Sequence, residues 1–66
     1  MDSAEYGVLR AKFLKLYANV PYPLRAEIVA VVGDETFSWA AANAEVKHDG
    51  KNAESILEQI KRLGLI

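Results

Sequence analysis

The sequence predicts an α+β domain: an N-terminal helix, a two-stranded β-hairpin, then two C-terminal helices packed on it. Three observations predict it. Tyr6, Leu9, Phe13, Leu16 and Val20 recur at spacings of three and four, the mark of one helical stripe. The β-branched run Ile28 to Val32 is too short for a helix and is followed by Gly33-Asp34, which fits a two-residue hairpin loop. Ile56, Leu57, Ile60 and Leu63 form a second helical stripe near the C-terminus.

The first helix starts at Asp2, an N-cap residue, with Glu5 three positions on completing a capping-box pattern. Glu5, Lys12, Lys15 and Asn19 fall opposite the apolar stripe, and Gly7 costs about 1 kcal/mol relative to Ala. Pro21 ends the helix, because the residue before a proline avoids helical geometry. Pro21-Tyr22-Pro23 is a stiff connector, Pro23 to Ala26 can form a short turn, and Leu24 is expected to face the core beside Val20.

The hairpin spans residues 27–38. Gly33 supplies the positive φ, which pairs Val32 with Glu35, Val31 with Thr36 and Ala30 with Phe37. Because Ile28 to Val32 is apolar on both faces, it calls for cover on both, from helices or from another chain. The simplest arrangement has three helices covering the hairpin, since an isolated hairpin is marginal in water.

Ser38 is a natural N-cap for a second helix, Trp39 to His48, with Gly50 as its C-capping glycine. Four alanines on this helix allow another backbone to approach closely. Asn52 is placed to cap a third helix, Ala53 to Leu63. Gly64 lies just beyond its end, where Leu65 or Ile66 can fold back on the last turn.

The 66 residues allow a single domain, 1–66, and exclude a multidomain enzyme. There is no Cys, so disulfides and thiolate metal sites are absent, while 52% of residues are hydrophobic. The composition is globular, no span is long enough to cross a membrane, and no signal-peptide pattern opens the chain, so the cytosol (cytoplasmic) is the expected compartment. A start at Met1 fits a whole small gene product or a trimmed domain.

Charge is uneven. Residues 1–25 carry a net +2, residues 26–50 a net -4 and residues 51–66 a net +1. The acidic middle is either a solvated face or a binding surface for a basic partner.

Catalytic chemistry lacks a cast. The single histidine, His48, reads as a helix-end residue, since a lone His makes a poor metal site. Ser38 is explained by capping and Ser55 lies in a helical first turn. The glycines are isolated and form no phosphate loop. Asp34 and Glu35 read as a solvated hairpin tip rather than a cation site. No enzyme activity, cofactor or metal is expected.

The two C-terminal helices and their short Gly-containing turn have a helix-turn-helix outline. The second, however, opens Asn52-Ala53-Glu54-Ser55, with a carboxylate and no Arg or Lys at its leading end, which is wrong for a phosphate-rich groove. Arg10, Lys12 and Lys15 on the first helix are the basic positions that could meet nucleic acid. Tyr22 is a docking residue or a packed connector side chain, and Trp39 a core or interface residue.

The run Ile28-Val29-Ala30-Val31-Val32-Gly33-Asp34-Glu35-Thr36-Phe37-Ser38-Trp39 resembles small uncharacterised prokaryotic proteins, especially archaeal-type ones, whose hairpin with an acidic turn leads into an aromatic-headed helix. The resemblance covers residues 20–66 and implies the fold; no activity and no functional residue transfers with it.

The function expected is a small non-enzymatic interaction module or complex subunit, binding a protein partner or itself, for example as a dimer. Its candidate contacts are Val29, Val31, Trp39, Ala40, Ala44 and Tyr22. The alternative is a small DNA-associated or antitoxin-like regulator using Arg10, Lys12 and Lys15.

Overall fold

The computed structural model describes all residues, Met1 to Ile66. In chain order it contains α1 (Ser3–Ala18), a 3-10 turn (Tyr22–Leu24), β1 (Ile28–Val32), β2 (Glu35–Ser38), α2 (Trp39–Lys47) and α3 (Ala53–Arg62). The two strands are antiparallel, and the fold is α+β.

Asp2 caps α1 through its carboxylate, which accepts the Glu5 amide N–H at 2.7 Å. The reciprocal half of the capping box does not form. Glu5 instead turns its carboxylate to Lys61 Nζ at 2.9 Å, tying the first turn of α1 to the last turn of α3. Leu9 and Phe13 are buried, while Tyr6, Leu16 and Val20 are half-buried. Leu24 does not join Val20 in the core and is exposed. Arg25 takes that space: its guanidinium lies 4.6 Å from the Tyr17 ring centroid and its Nε donates to the Val20 carbonyl at 3.0 Å.

The hairpin has the register that Gly33-Asp34 imposes: Val32 faces Glu35, Val31 faces Thr36 and Ala30 faces Phe37. Gly33 has φ 60° and Asp34 does not have positive φ, the pattern of a type II′ turn. The next pair is Ile28 with Ser38, so Val29 is an extra residue, a β-bulge. On a regular strand Ile28 would share the face of the buried Ala30, two residues away. The bulge breaks that alternation, and Ile28 is 57% exposed. The expected cover on both faces of Ile28 to Val32 is therefore absent within the chain: Val31 is exposed as well. The hairpin packs on α2 and α3, while α1 packs chiefly on those two helices, so two helices rather than three cover the sheet.

Ser38 Oγ accepts the Ala41 amide N–H and starts α2 directly from the last strand residue. The helix ends at Lys47 in a Schellman motif, with His48 as C-cap and the Gly50 N–H bonded to the Glu45 carbonyl at 2.8 Å. The left-handed residue of this motif is Asp49, at φ 51°, and not the expected Gly50. A Cβ at Gly50 would overlap the Glu45 carboxylate, which would have to swing away from its present position. That carboxylate accepts the Asn52 backbone N–H at 3.1 Å. The Asn52 side chain makes no capping bond, so the glutamate of α2 supplies the acceptor at the α3 N-terminus.

Ala53, Ile56, Leu57 and Ile60 of α3 are buried. Leu63, expected in the same stripe, is 63% exposed. The helix ends one residue before it, and Gly64, at φ 79°, turns the chain so that Ile66 packs on the core in its place. The core consists of ten buried side chains, all apolar. Across it Phe13 stacks on Trp39, with ring centroids 6.1 Å apart and planes 16° from parallel.

Gln59 on α3 closes the outer edge of β1. In a hairpin with a two-residue loop, Val31 is a non-hydrogen-bonded position, so its N–H and C=O point away from β2. The Val31 N–H donates to Gln59 Oε1 at 3.0 Å, and Gln59 Nε2 donates to the Val31 carbonyl. The side-chain amide thus stands where a third strand would bond.

Phe13→Ala is expected to cost about 3–5 kcal/mol. A domain of this size holds only about 0.05–0.15 kcal/mol per residue, so circular dichroism should find the variant largely unfolded at room temperature. Gln59→Ala should lose about 1–2 kcal/mol and expose the β1 edge. Hydrogen exchange of this variant should show the Val31 N–H exchanging faster than in the parent chain.

Candidate functional site

The exposed large side chains are not scattered evenly. Ile28, Val31 and Leu63 line one open groove of about 410 Å³ between β1 and the C-terminal half of α3. Val29 and Ala30 form part of its wall, and Gln59 and Arg62 supply its polar rim. Arg62 forms an exposed pair one turn back, with Nη2 lying 3.7 Å from Glu58 Oε2, and its side chain remains 76% exposed. The other exposed large apolar residues, Val8, Tyr22, Leu24 and Leu65, do not line this groove.

The residues expected to meet a partner are divided among several places. Val31 is exposed in the groove, and Val29 beside it is half-buried against the core. Tyr22, 83% exposed, and Ala40 border a separate hollow with Tyr17, Arg25, Ala26 and Ser38. This hollow has no free backbone donors at the start of α2. The Trp39 N–H bonds the Glu27 carbonyl, Ala40 N–H the Arg25 carbonyl and Ala41 N–H the Ser38 hydroxyl. Ala44 is exposed on α2, and Trp39 is half-buried on Phe13. Ile28, Leu63, Gln59 and Arg62 complete the groove and were not among the expected contacts. The bulge at Val29 and the end of α3 bring them together; Gly64 marks the second in the sequence, and nothing marks the first.

The basic positions of α1 do not form one patch. Lys12 and Lys15 are exposed, whereas Arg10 lies roughly 140–160° away around the helix at about 100° per residue. Arg10 is engaged there: Nε donates to Asp49 Oδ1 at 3.0 Å and Nη2 to the Lys47 carbonyl at 2.8 Å. Asp49 Oδ1 also accepts the Tyr6 hydroxyl at 2.7 Å. The tyrosine hydrogen bond is the main influence holding the Asp49 carboxyl below its ordinary pKa, with Arg10 and His48 acting in the same direction. The same bond raises the pKa of Tyr6. A non-glycine residue in the left-handed region is thus fixed by two contacts from α1, which clamp that helix to the α2–α3 corner.

His48 is the exposed C-cap of α2. No three His, Asp or Glu side chains are grouped to hold a metal ion, and no helix is long and apolar enough to cross a membrane. The chain matches no known family model, and no curated protein or solved structure is significantly similar to it.

A carboxyl whose folded pKa lies below its unfolded value stabilises the fold above the unfolded pKa. That contribution is lost as pH falls through the folded value. Tyr6→Phe should therefore move the Asp49 titration, followed by NMR, up toward the ordinary carboxyl range. It should also lower the melting temperature at neutral pH. Well below about pH 4, where the carboxyl is protonated in both states, the variant and parent melting temperatures should converge.

Proposed function

We propose that this chain is a non-enzymatic interaction module that binds another protein through the groove between β1 and α3. The observation that carries the reading is the juxtaposition of Ile28, Val31 and Leu63, each half exposed or more, in one groove. Covering the exposed part of each would contribute roughly 1 kcal/mol, about 3 kcal/mol together, so these side chains alone give a weak contact and the rest of the affinity must come from the polar rim and the flanks.

The DNA-associated or antitoxin-like reading has less support. With Arg10 held by Asp49, it rests on Lys12 and Lys15. Two phosphate contacts give a salt slope of only about −1.8, which is weak binding at physiological salt.

The absence of Cys makes a site-specific test direct. A single cysteine introduced as Leu63→Cys, and separately as Lys12→Cys, can carry a photo-crosslinker into an extract of the source cell. The groove position should yield a discrete protein adduct that Val31→Asp abolishes, and the α1 position should not. An adduct from Lys12→Cys alone, or one containing nucleic acid, would overturn the reading.

A further inference from the structure

We infer that the partner segment is an extended peptide of another protein, with apolar residues flanked on both sides by Lys or Arg. This inference rests on the groove reading above. It draws on a separate observation, the distribution of unanswered charge around β1.

Glu27 stands at one end of the strand, and Asp34 and Glu35 stand at the hairpin tip at the other. All three are exposed, and none has an ion pair or a side-chain hydrogen bond within the chain. The remaining charges of the groove region, Arg62 and Glu58, face each other. Five strand residues separate the two acidic ends by about 17 Å. That exceeds the screening length of about 8 Å at physiological salt, so each end attracts its own counter-charge. The groove itself is lined by one charged side chain, Arg62, while Glu27 and Asp34 stand beyond the two ends of β1, so a segment that overruns the groove at both ends meets carboxylates there and is complementary when it is basic–apolar–basic.

The same charges disfavour a second copy. Laying β1 antiparallel on β1 of another chain brings Glu27 toward Asp34 and Glu35, and a parallel arrangement brings Glu27 toward Glu27. Like charges meet in both cases. Area points the same way. A standard interface takes about 800 Å² per partner, about a fifth of the 4190 Å² surface of this chain. Three exposed apolar side chains do not supply that much. A peptide needs far less. Because Gln59 already bonds the outward N–H and C=O of Val31, the segment docks by its side chains and not as a third strand.

The test uses three synthetic peptides of about nine residues, matched to the strand plus two flanking positions at each end. They share one apolar centre and differ in flanks of Lys, Ser or Glu. Each is titrated into the isotope-labelled full chain, with amide shifts giving both the site and the affinity. The Lys-flanked peptide should shift Ile28 to Val31 and Leu63 and bind about tenfold tighter than the Glu-flanked one at low salt. Added salt should shrink that ratio, and Glu27→Lys, which leaves its backbone contact to Trp39 in place, should remove much of it. Equal affinities of all three peptides at the groove would overturn the basic-flank inference and leave the groove reading standing. Shifts elsewhere, or none with any peptide, would overturn both. A concentration-dependent dimer whose shifts map to Ile28, Val31 and Leu63 would make a second copy the occupant and overturn the peptide assignment.

Discussion

The stack of Phe13 on Trp39 is the contact on which the rest of the molecule depends. α1 contributes no strand and packs little on the hairpin, so its place must come from side chains. Trp39 is the first residue of α2 and follows β2 without a break, so a ring laid against it is held against sheet and helix together. Polar contacts at the two ends of α1 then settle its direction. Lys61 takes Glu5 near the start, while Arg25 sits over Tyr17 near the end. Such exposed pairs add little energy singly and matter here as positioning. With only ten buried residues, orientation cannot be left to the core alone.

Much of this was legible in the sequence because it depends on local chemistry. The helix starts at Asp2 and Ser38, the turn at Gly33 and the chain reversal at Gly64 each follow from what one residue can do with its own backbone. The hairpin register follows from loop length. The misses share a different cause. Ile28 to Val32 is a uniform β-branched run, so nothing in its pattern marks where an extra residue enters, and the bulge at Val29 escapes detection. Asp49 and Gly50 exchange expected roles because Tyr6 and Arg10, more than thirty positions away, hold the aspartate in the left-handed conformation. Leu63 fits the periodicity of α3, yet lies beyond the point where the core ends.

The groove was harder to read than the fold for the same reason. Its floor comes from β1 and its far wall from the end of α3, and the two meet only in three dimensions. The apolar run of β1 calls for cover on both faces, and Val31 is where the chain supplies none. The basic positions of α1 never formed one face, because helical spacing alone puts Arg10 on the opposite side from Lys12 and Lys15, and Asp49 and the Lys47 carbonyl then engage it there. Surface function in so small a protein is decided by which charges the fold consumes internally and which it leaves unanswered.

Ser38 is at once the last strand residue and the cap of α2, and this bears on how the chain can change over evolution. There is no spare residue between sheet and helix. One inserted amino acid would rotate α2 by about 100° relative to the strand and swing Ala42 and Val46 away from the core. One deletion would do the same in the other direction. The stretch between α1 and β1 has no such direct junction and can absorb a change in length more easily. Descendants of this sequence should therefore gain or lose residues before β1 while the strand-to-helix junction keeps its length, whatever side chains come to occupy it.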